Sequence, residues 1–338
     1  MTKPLAVVTG ATGFVATRLV PALVDDGWRV RATARRPRPG WMDASVEYQP
    51  VDLAEGGAAL ADVCDGATHV FHLAGASSSK SSQEEMDRNN IVATARLLEA
   101  VTDGPLERFL YMSSTSIYGE EVQLPSPVSE DVVPRPSRGY GKAKWGAEQV
   151  VWDHAGRGLP TVVLRPVSVY GPGATKLLAS AILDTAIERA AGLPRLALAA
   201  DATEQRLVHV DDLVAACLHL ARSDAAVGRA FNVVDGIYPS SHEVGRILAA
   251  CFGMDVEIGA EGLDEEHRRR VWEQMVDQGM EPAILFTPDR LRLMAKTNRN
   301  NRLSTAALES TGFRFSFTDL PVAVAANVDW YRANRWLV

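Results

Sequence analysis

The sequence predicts an α/β protein, with a doubly wound parallel sheet and a smaller, mostly α-helical lobe toward the C-terminus. Three observations predict this fold class. Short β-branched runs alternate with longer amphipathic segments over the first two-thirds of the 338 residues, a glycine-rich turn follows the first run, and the alternation loosens after Arg165. Repeated strand–helix–strand units of this kind form parallel sheets with helices on both faces.

The elements of the sheet follow in order along the chain. The predicted strands are residues 5–9, 28–33, 46–51, 69–73, 109–112 and 161–164. The segments between them have helical periodicity, and the longest predict helices at residues 13–25, 83–101 and 140–154.

The remaining third predicts fewer strands. We expect helices at residues 176–191 and 212–221, a late strand at 230–234, and a polar, solvated helix over 263–279. Ser240 and Glu243 form a capping box, and Asp319 is placed to cap a final helix. The predicted sheet domain is residues 1–167 plus 208–236, and the predicted substrate lobe is residues 168–207 plus 237–338.

Composition excludes several classes of protein. An apolar fraction of 46% and a charged fraction of 23% are ordinary for a soluble enzyme, and a net charge of −7 argues against nucleic acid or an anionic membrane as partner. The three cysteines are scattered in apolar surroundings, as expected of reduced core residues. No run of about 18 apolar residues occurs, so we expect no membrane span and a cytoplasmic location.

The turn after the first strand predicts a dinucleotide site. Residues 9–16 read TGATGFVA, so Ala16 stands where the usual fingerprint has a third glycine. Glycines here let the backbone approach a diphosphate and direct helix N-terminal N–H groups toward it. The position at the first strand favours this function over a merely tight turn. The expected cofactor contacts in the turn are Gly10, Thr12, Gly13, Phe14 and Val15.

The end of the second strand favours NADP(H), with NAD(H) still possible. An NAD site usually has an acid there to bind the ribose diol, but the strand ends at Arg35 and Arg36. Guanidinium groups match a 2′-phosphate by bidentate hydrogen bonding. A solvated basic loop is the alternative, since Arg38 continues the run. Asp52, after the third strand, is either an adenine acceptor or a turn acid.

Tyr140 and Lys144 are four residues apart on a predicted helix, so both side chains lie on one face. A free tyrosine titrates near pH ~10, and a neighbouring ammonium group stabilises the phenolate. The pair can therefore donate and accept a proton, although the same spacing also occurs by chance on many helices.

These motifs together resemble the extended short-chain dehydrogenase/reductases, the NAD(P)-dependent epimerase/dehydratase family. The resemblance covers about the first 235 residues and implies a Rossmann sheet. The second strand and the C-terminal end are similar to the dihydroflavonol-reductase and 3β-hydroxysteroid-dehydrogenase-like branch. The matching stretches are residues 9–14, 52–53, 72–75, 90–94, 111–119, 140–144, 164–166, 170–173 and 208–212.

The resemblance implies a catalytic set of Ser114, Tyr140 and Lys144. Ser114 would bond the substrate oxygen, Tyr140 would transfer the proton, and Lys144 would hold the nicotinamide ribose and lower the pKa of Tyr140. Ser113 and Ser116 are alternatives to Ser114. Glu148, one turn further on, is expected to be structural or on the helix surface. Further cofactor contacts are expected at Leu53, Leu73, Ala74, Gly75, Asn90, Pro166 and Val169.

Departures from the family pattern narrow the reaction. Sugar-nucleotide 4,6-dehydratases need an Asp–Glu pair where this chain has Thr115 and Ser116, and epimerases usually have asparagine where it has Ser168. Arg206 is placed to bind a substrate diphosphate, or to pair with Glu204 at the surface. The expected substrate contacts are Ser77, Thr115, Ser116, Ser168 and Arg206.

The leading hypothesis is reversible hydride transfer between NADP(H) and a secondary alcohol or ketone, with Tyr140 as general acid and base. A nucleotide-sugar epimerase that uses bound NAD(P) is the alternative, and an NADP sensor without turnover is a third. No metal site is expected, since His209 with Asp211 and Asp212 fits a strand end followed by an aspartate N-cap better. The resemblance also implies a homodimer formed through the helices that contain Asn90 and Tyr140.

Overall fold

The computed structural model describes residues 3–76, 81–119, 124–137, 139–287, 291 and 302–338. The chain divides into two compact units: unit 1 is Met1–Val167, Leu213–Val233 and Leu303–Arg314, and unit 2 is the rest. Residues Leu303–Arg314, expected in the smaller lobe, cluster with unit 1 because Leu303 bridges to Val128 and the Ser304 amide donates to the Val128 carbonyl at 2.9 Å. The other predicted boundaries stay predictions.

A seven-stranded parallel sheet forms the centre of unit 1, in the order β10-β6-β5-β4-β1-β2-β3 among the described residues. The order reverses between β1 and β4, which makes the crevice at their carboxyl ends the expected ligand site of a doubly wound sheet. This confirms the predicted fold class. The strands of both units are β1 (Leu5–Thr9), β2 (Arg29–Ala34), β3 (Glu47–Pro50), β4 (His69–His72), β5 (Arg108–Met112), β6 (Thr161–Pro166), β7 (Ser168–Tyr170), β8 (Arg195–Leu198), β9 (Leu207–His209), β10 (Arg229–Val233) and β11 (Asp255–Ile258).

Every residue of β1, β4, β5 and β6 is buried, because helices cover both faces of the sheet. The longer helices of both units are α1 (Ala16–Asp25), α2 (Ala58–Cys64), α3 (Gln83–Asp87), α4 (Ala93–Val101), α5 (Gly139–Ala155), α6 (Leu178–Ala190), α7 (Val210–Ala221), α8 (Ser241–Cys251), α9 (Glu265–Asp277) and a C-terminal helix, Leu320–Ala333.

The helix predicted over 83–101 is interrupted. A π-helical turn, Arg88–Val92, separates α3 from α4, and Asn90 at its centre is buried. On the neighbouring α5, a Cβ at Gly146 would lie 2.5 Å from the Ile91 side chain. Glycine therefore allows α5, which carries the predicted catalytic tyrosine in its first turn, to pack closely against this π-helical turn.

Unit 2 contains two short parallel pairs, β7 with β9 and β8 with β11. Helix α9 is not the solvated helix that its polar composition predicted. Val271 and Met275 are buried, and Arg268 is only 1% exposed. Residues 268, 271 and 275 have the spacing of one helical face. Arg268 can join that buried face because Asp184 and Glu188 of α6 pair with its guanidinium group.

Two of the predicted helix caps are confirmed and one is wrong. The Ser240–Glu243 capping box opens α8, and the Asp319 carboxylate accepts from the Val322 amide at the start of the C-terminal helix. Neither Asp211 nor Asp212 is the expected aspartate N-cap, because α7 already begins at Val210 and both lie in its first turn. The Asp212 side chain has another role. Its carboxylate instead accepts from the amides of Ser316 and Phe317, at 2.9 and 3.0 Å.

No helix in the described part of the chain is both long enough and apolar enough to cross a membrane.

Candidate active site

The glycine turn after β1 packs closely against the residues that follow β4. Gly10 has φ +66°, and a Cβ there would lie 2.8 Å from the Ala74 backbone. The Gly13 amide donates to the Gly10 carbonyl at 2.8 Å, and a Cβ at Gly13 would come within 3.1 Å of that oxygen. Gly10 is therefore favoured for both space and conformation, whereas a side chain at Gly13 would make a tight contact with the Gly10 carbonyl.

Helix α1 begins at this turn without a side-chain cap. Val15 is the N-cap residue and makes no capping hydrogen bond, and the first turn contains no acidic residue. A helix N-terminus of this kind attracts anions through its free N–H groups and its dipole. Gly13 is exposed, and Thr12 and Phe14 are half-buried. The turn thus fits the diphosphate of a dinucleotide.

A buried histidine connects the turn to the neighbouring elements, a role that the sequence did not reveal. His72 Nδ1 lies 2.7 Å from the Thr9 hydroxyl, and His72 Nε2 lies 2.9 Å from the Thr94 hydroxyl. Burial, with a smaller effect of the Lys144 charge, lowers the pKa of His72 to about 3. His72 is therefore a neutral bridge from β1 through β4 to α4. The sequence signal was its position between a strand and the Leu73–Ala74–Gly75 turn.

Asn90 directs an unpaired acceptor toward Gly75. It is 1% exposed, and its amide donates to the carbonyls of Met86 and Ala76, at 2.8 and 3.2 Å. Its Oδ1 has no hydrogen-bond partner in the described part of the chain, and it would lie 2.6 Å from a Cβ at Gly75. Lys144 Nζ would lie 3.2 Å from the same Cβ position. A ligand hydroxyl at Gly75 could therefore meet both an acceptor and a cation.

The arginines after β2 divide into two groups. Arg35 and Arg36 are exposed, and Arg35 Nη1 donates to Asn89 Oδ1 at 3.0 Å. Arg38 instead donates to the backbone carbonyls of a loop, including that of Val46 at 2.9 Å and that of Met42 at 3.3 Å. Arg38 therefore orders the loop, whereas the other two guanidinium groups can meet a ligand.

Asp52 has the contacts of a turn acid. One of its oxygens accepts from the Ala54 amide at 3.0 Å, and the other accepts from Arg88 at 3.1 Å. The neighbouring Leu53 is buried. The adenine role of Asp52 stays a prediction, and its observed partners favour the structural alternative.

The structure brings Ser114, Ser116 and Tyr140 together at the end of β5. Ser114 is the N-cap of a short 3-10 helix, Thr115–Tyr118. Its Oγ accepts from the Ser116 amide at 3.2 Å and from the Ser116 hydroxyl at 2.9 Å. The Tyr140 hydroxyl also forms a hydrogen bond with the Ser114 side chain. This pairing of Ser114 with Tyr140 is the one that the resemblance implied.

Lys144 does not lower the pKa of Tyr140 as expected. Burial raises the pKa of Tyr140 to about 12, and only the hydrogen bond with Ser114 opposes that effect. Lys144 Nζ donates to the Met112 carbonyl at 2.6 Å and to the Tyr111 hydroxyl at 3.4 Å. Burial lowers the pKa of Lys144 to about 8. Desolvation thus dominates at both groups, and Tyr140 is a protonated phenol at neutral pH, ready to donate.

Ser113 faces away from this group. Its hydroxyl donates to Glu148 Oε2 at 2.6 Å, and Glu148 is 0% exposed. Glu148 is therefore structural rather than on the helix surface. Ser113 and Ser114 follow the end of β5, where the backbone of Ser114 is still extended. Consecutive side chains of extended backbone point to opposite sides, so the two serines have separate partners.

The remaining predicted residues lie elsewhere. The Thr115 hydroxyl donates to the Pro166 carbonyl at 3.3 Å at the end of β6. In unit 2, Glu204 pairs with Arg302 at 2.6 Å. The roles of Ser168, Val169 and Arg206, all in unit 2, stay predictions, and Ser77 lies outside the described residues.

Known proteins resemble this chain in both sequence and fold. The sequence model of the NAD dependent epimerase/dehydratase family matches residues 6–234. A 4-hydroxy-2-methyl-3-oxo-4-farnesyl-3,4-dihydroquinoline-1-oxide ketoreductase from Stigmatella aurantiaca is 30% identical over 173 residues, which are 51% of this chain and 52% of that protein. Dihydroflavonol 4-reductase from Zea mays is 29% identical over 67% of this chain and 69% of its own length.

Among solved structures, MoeE5 in complex with UDP-glucose and NAD superposes with a TM-score of 0.72. It is 27% identical, and the match covers 97% of this chain and 99% of that one. By contrast, the chain spans only about half the length of the first curated relative, 52%.

Proposed function

Because this chain belongs to the NAD-dependent epimerase/dehydratase family, we propose that it is an NADP(H)-dependent oxidoreductase that interconverts a ketone and a secondary alcohol. The end of β2 is the observation that carries the proposal. Arg35 and Arg36 are exposed there, and no acid stands in the place that would bind the ribose diol. Two cations suit a 2′-phosphate. This phosphate is the feature of NADP(H), the cofactor that serves as an exchangeable reductant.

The bound nicotinamide would supply or accept the hydride. Tyr140 gives the proton to the carbonyl oxygen during reduction, because its raised pKa keeps it in the phenol form. Ser114 lies against Tyr140 and holds the same oxygen by a second hydrogen bond. Lys144 would exchange its bond with the Met112 carbonyl for the ribose hydroxyls.

The names of the relatives agree with reduction of a carbonyl group. A ketoreductase and a dihydroflavonol 4-reductase are both similar to this chain. Thr115 and Ser116 replace the acid pair that a 4,6-dehydratase needs, and Thr115 is bonded to a backbone carbonyl. We therefore expect simple hydride exchange without elimination of water.

The decisive experiment is consumption of NADPH and NADH with a panel of aryl and alkyl ketones that includes dihydroflavonols. We expect turnover with NADPH to exceed turnover with NADH. The double variant Arg35→Gln/Arg36→Gln should raise the KM for NADPH by about 10- to 100-fold and leave that for NADH unchanged. Arg29→Gln, an exposed arginine of the same strand that pairs with Glu47, is the matched control and should change neither.

An equal rise in the KM for NADPH and in the KM for NADH in the double variant would argue against a 2′-phosphate site. No consumption of either cofactor with any ketone would argue against the reductase altogether.

A nucleotide-sugar epimerase is the second candidate, and one observation favours it. MoeE5, whose solved structure is a complex with UDP-glucose and NAD, matches this chain nearly end to end. An epimerase would interconvert UDP-sugars without net consumption of cofactor, and UDP alone would raise its melting temperature. Conversion of UDP-glucose with no ketone reduction would establish this candidate and overturn the first.

A further inference from the structure

A buried polar network surrounds Glu148, one helical turn beyond Lys144. The Glu148 carboxylate accepts from the Ser113 hydroxyl at 2.6 Å, from Arg165 Nη2 at 2.5 Å and from Trp152 Nε1 at 3.1 Å. Glu148 is 0% exposed, and Arg165 is also buried. One carboxylate thus connects α5 to the ends of β5 and β6, the strands nearest the predicted reaction.

The network also reaches the far side of the serine turn. Arg165 Nη1 donates to the Tyr118 hydroxyl at 2.8 Å and to the Glu130 carbonyl at 2.9 Å. The Tyr118 hydroxyl in turn donates to Asn232 Oδ1 at 2.8 Å. Ser114 lies between Ser113 and the 3-10 helix that ends at Tyr118. Its backbone is therefore held from both sides by groups that depend on Glu148 and Arg165.

The titratable groups that face Lys144 lie on three elements, and only one of these groups is charged. His72 of β4 is neutral, because burial lowers its pKa to about 3. Tyr111 of β5 is neutral, because burial raises its pKa well above the usual value. On α5 itself, Tyr140 is a phenol, and Glu148 supplies the negative charge that opposes the effect of burial on Lys144. Arg165, paired with Glu148, partly screens that charge.

We propose that Glu148 is a positioning residue that fixes Ser114 relative to Tyr140 and places its carboxylate one helical turn from Lys144 on α5. The inference rests on the proposed function for its purpose and for the kcat measurement, whereas the titration of Lys144 tests it without substrate or cofactor. Glu148 touches neither substrate nor cofactor and acts through Ser113 and Lys144. Glu148 therefore has two separable effects, one on the position of Ser114 and one on the charge of Lys144. An ordinary buried ion pair would have neither.

The charge effect can be measured by NMR on protein labelled with ¹³Cε-lysine, without substrate or cofactor. The chain has six lysines, and Lys144→Arg would identify the Lys144 signal. We expect a titration midpoint near pH 8 in the unmodified protein, since burial lowers the pKa of Lys144 to about 8. Glu148→Gln removes the opposing charge, so the midpoint should fall further, by about one pH unit or more. An unchanged midpoint in folded Glu148→Gln would overturn the proposal.

Two matched variants separate the effects. Asp184→Asn alters another buried ion pair, that with Arg268, and should leave the Lys144 midpoint unchanged. Ser113→Ala keeps the Glu148 charge and removes only the hydrogen bond beside Ser114. We expect it to lower kcat severalfold with the NADPH KM and the Lys144 midpoint unchanged. Unaltered kcat in Ser113→Ala would overturn the positioning effect, even if Glu148→Gln fails to fold.

The two proposals fail in different ways. A shifted Lys144 midpoint in a protein that reduces no ketone would support the coupling of Glu148 to Lys144 and count against the proposed reaction. Ketone reduction with an unshifted midpoint would support the reaction and overturn the inference about Glu148.

Discussion

Each unit contains a buried carboxylate–guanidinium pair, and the two pairs do different things. In unit 1, Glu148 and Arg165 are both nearly inaccessible, and in unit 2 so are Asp184 and Arg268. The first pair extends by hydrogen bonds to Ser113, beside the predicted reacting serine. The second pair extends to backbone groups, and the Asp184 carboxylate also accepts from the Leu291 amide at 3.2 Å.

The difference teaches that burial of charge does not identify a functional group. Desolvation makes both pairs costly to break, so both fix their surroundings. In unit 2 the fixed parts are α6 and α9, with Glu188 accepting from the Ala197 amide of β8 at 3.3 Å. In unit 1 they are the segments that present Ser114 and Lys144. The hydrogen-bond partners of a buried pair, rather than its degree of burial, distinguish support of a reaction from support of the fold.

The largest expected effect comes from removing the chemistry that the unit 1 pair is proposed to support. Tyr140→Phe deletes the proton donor and the hydrogen bond with Ser114, and it should lower kcat by about 10²–10⁴-fold. Urea unfolding should show little change, because no buried charge is exposed. Full activity in Tyr140→Phe would show that Tyr140 is not the proton donor and would leave the unit 1 network without the proposed role.

Breaking the unit 2 pair should affect stability instead. Arg268→Met leaves Asp184 and Glu188 buried without their cation, so the free energy of unfolding should fall by about 3–5 kcal/mol. The exposed neighbour Arg269, which pairs with Glu265 on the helix surface, is the control, and Arg269→Met should cost less than about 0.5 kcal/mol. Denaturant unfolding measures both. Equal, small losses would show that the buried pair contributes no more than a surface one.

A smaller effect is expected at the edge of the unit 1 network. Trp152→Phe removes one hydrogen bond to Glu148 and leaves those from Ser113 and Arg165 intact. We expect a loss of about 1–2 kcal/mol in unfolding free energy and a kcat within about twofold of the unmodified protein. A large fall in kcat would mean that every contact of Glu148, not only that beside Ser114, sets the active geometry.

The smallest effect on the fold is expected at Val92, in the π-helical turn against which α5 packs. We propose that two copies pair through the helices that contain Asn90 and Tyr140, and Val92 is 42% exposed on that segment. Val92→Asp should convert a dimer to a monomer in light scattering, with unfolding free energy changed by less than about 0.5 kcal/mol at low concentration. A monomer already present before substitution would refute the pairing. In a monomer, the unit 1 network would act without any contribution from a second subunit.

Unit 1 was largely predictable from the sequence because its signals are local. The glycines at positions 10 and 13, the short buried strands, and the Tyr140–Lys144 spacing each depend on neighbouring residues. The burial of Arg268 was not predictable, since its partners on α6 are about 80 residues away in the chain and the helix composition is polar. The pKa of Tyr140 was predicted in the wrong direction, because a sequence shows the nearby lysine but not the desolvation that outweighs it.

The unpaired oxygen of Asn90 has a consequence for the free protein. Asn90 Oδ1 is buried and has no donor in the described part of the chain. A buried acceptor in that state costs about 1–3 kcal/mol of folding free energy. A ligand that donates to this oxygen would remove the penalty, and its binding would stabilise the native state by more than its other contacts suggest. The Asn90 oxygen thus lowers the stability of the free protein but adds to its affinity for a ligand that donates to it. Selection for a more stable free protein would tend to replace Asn90.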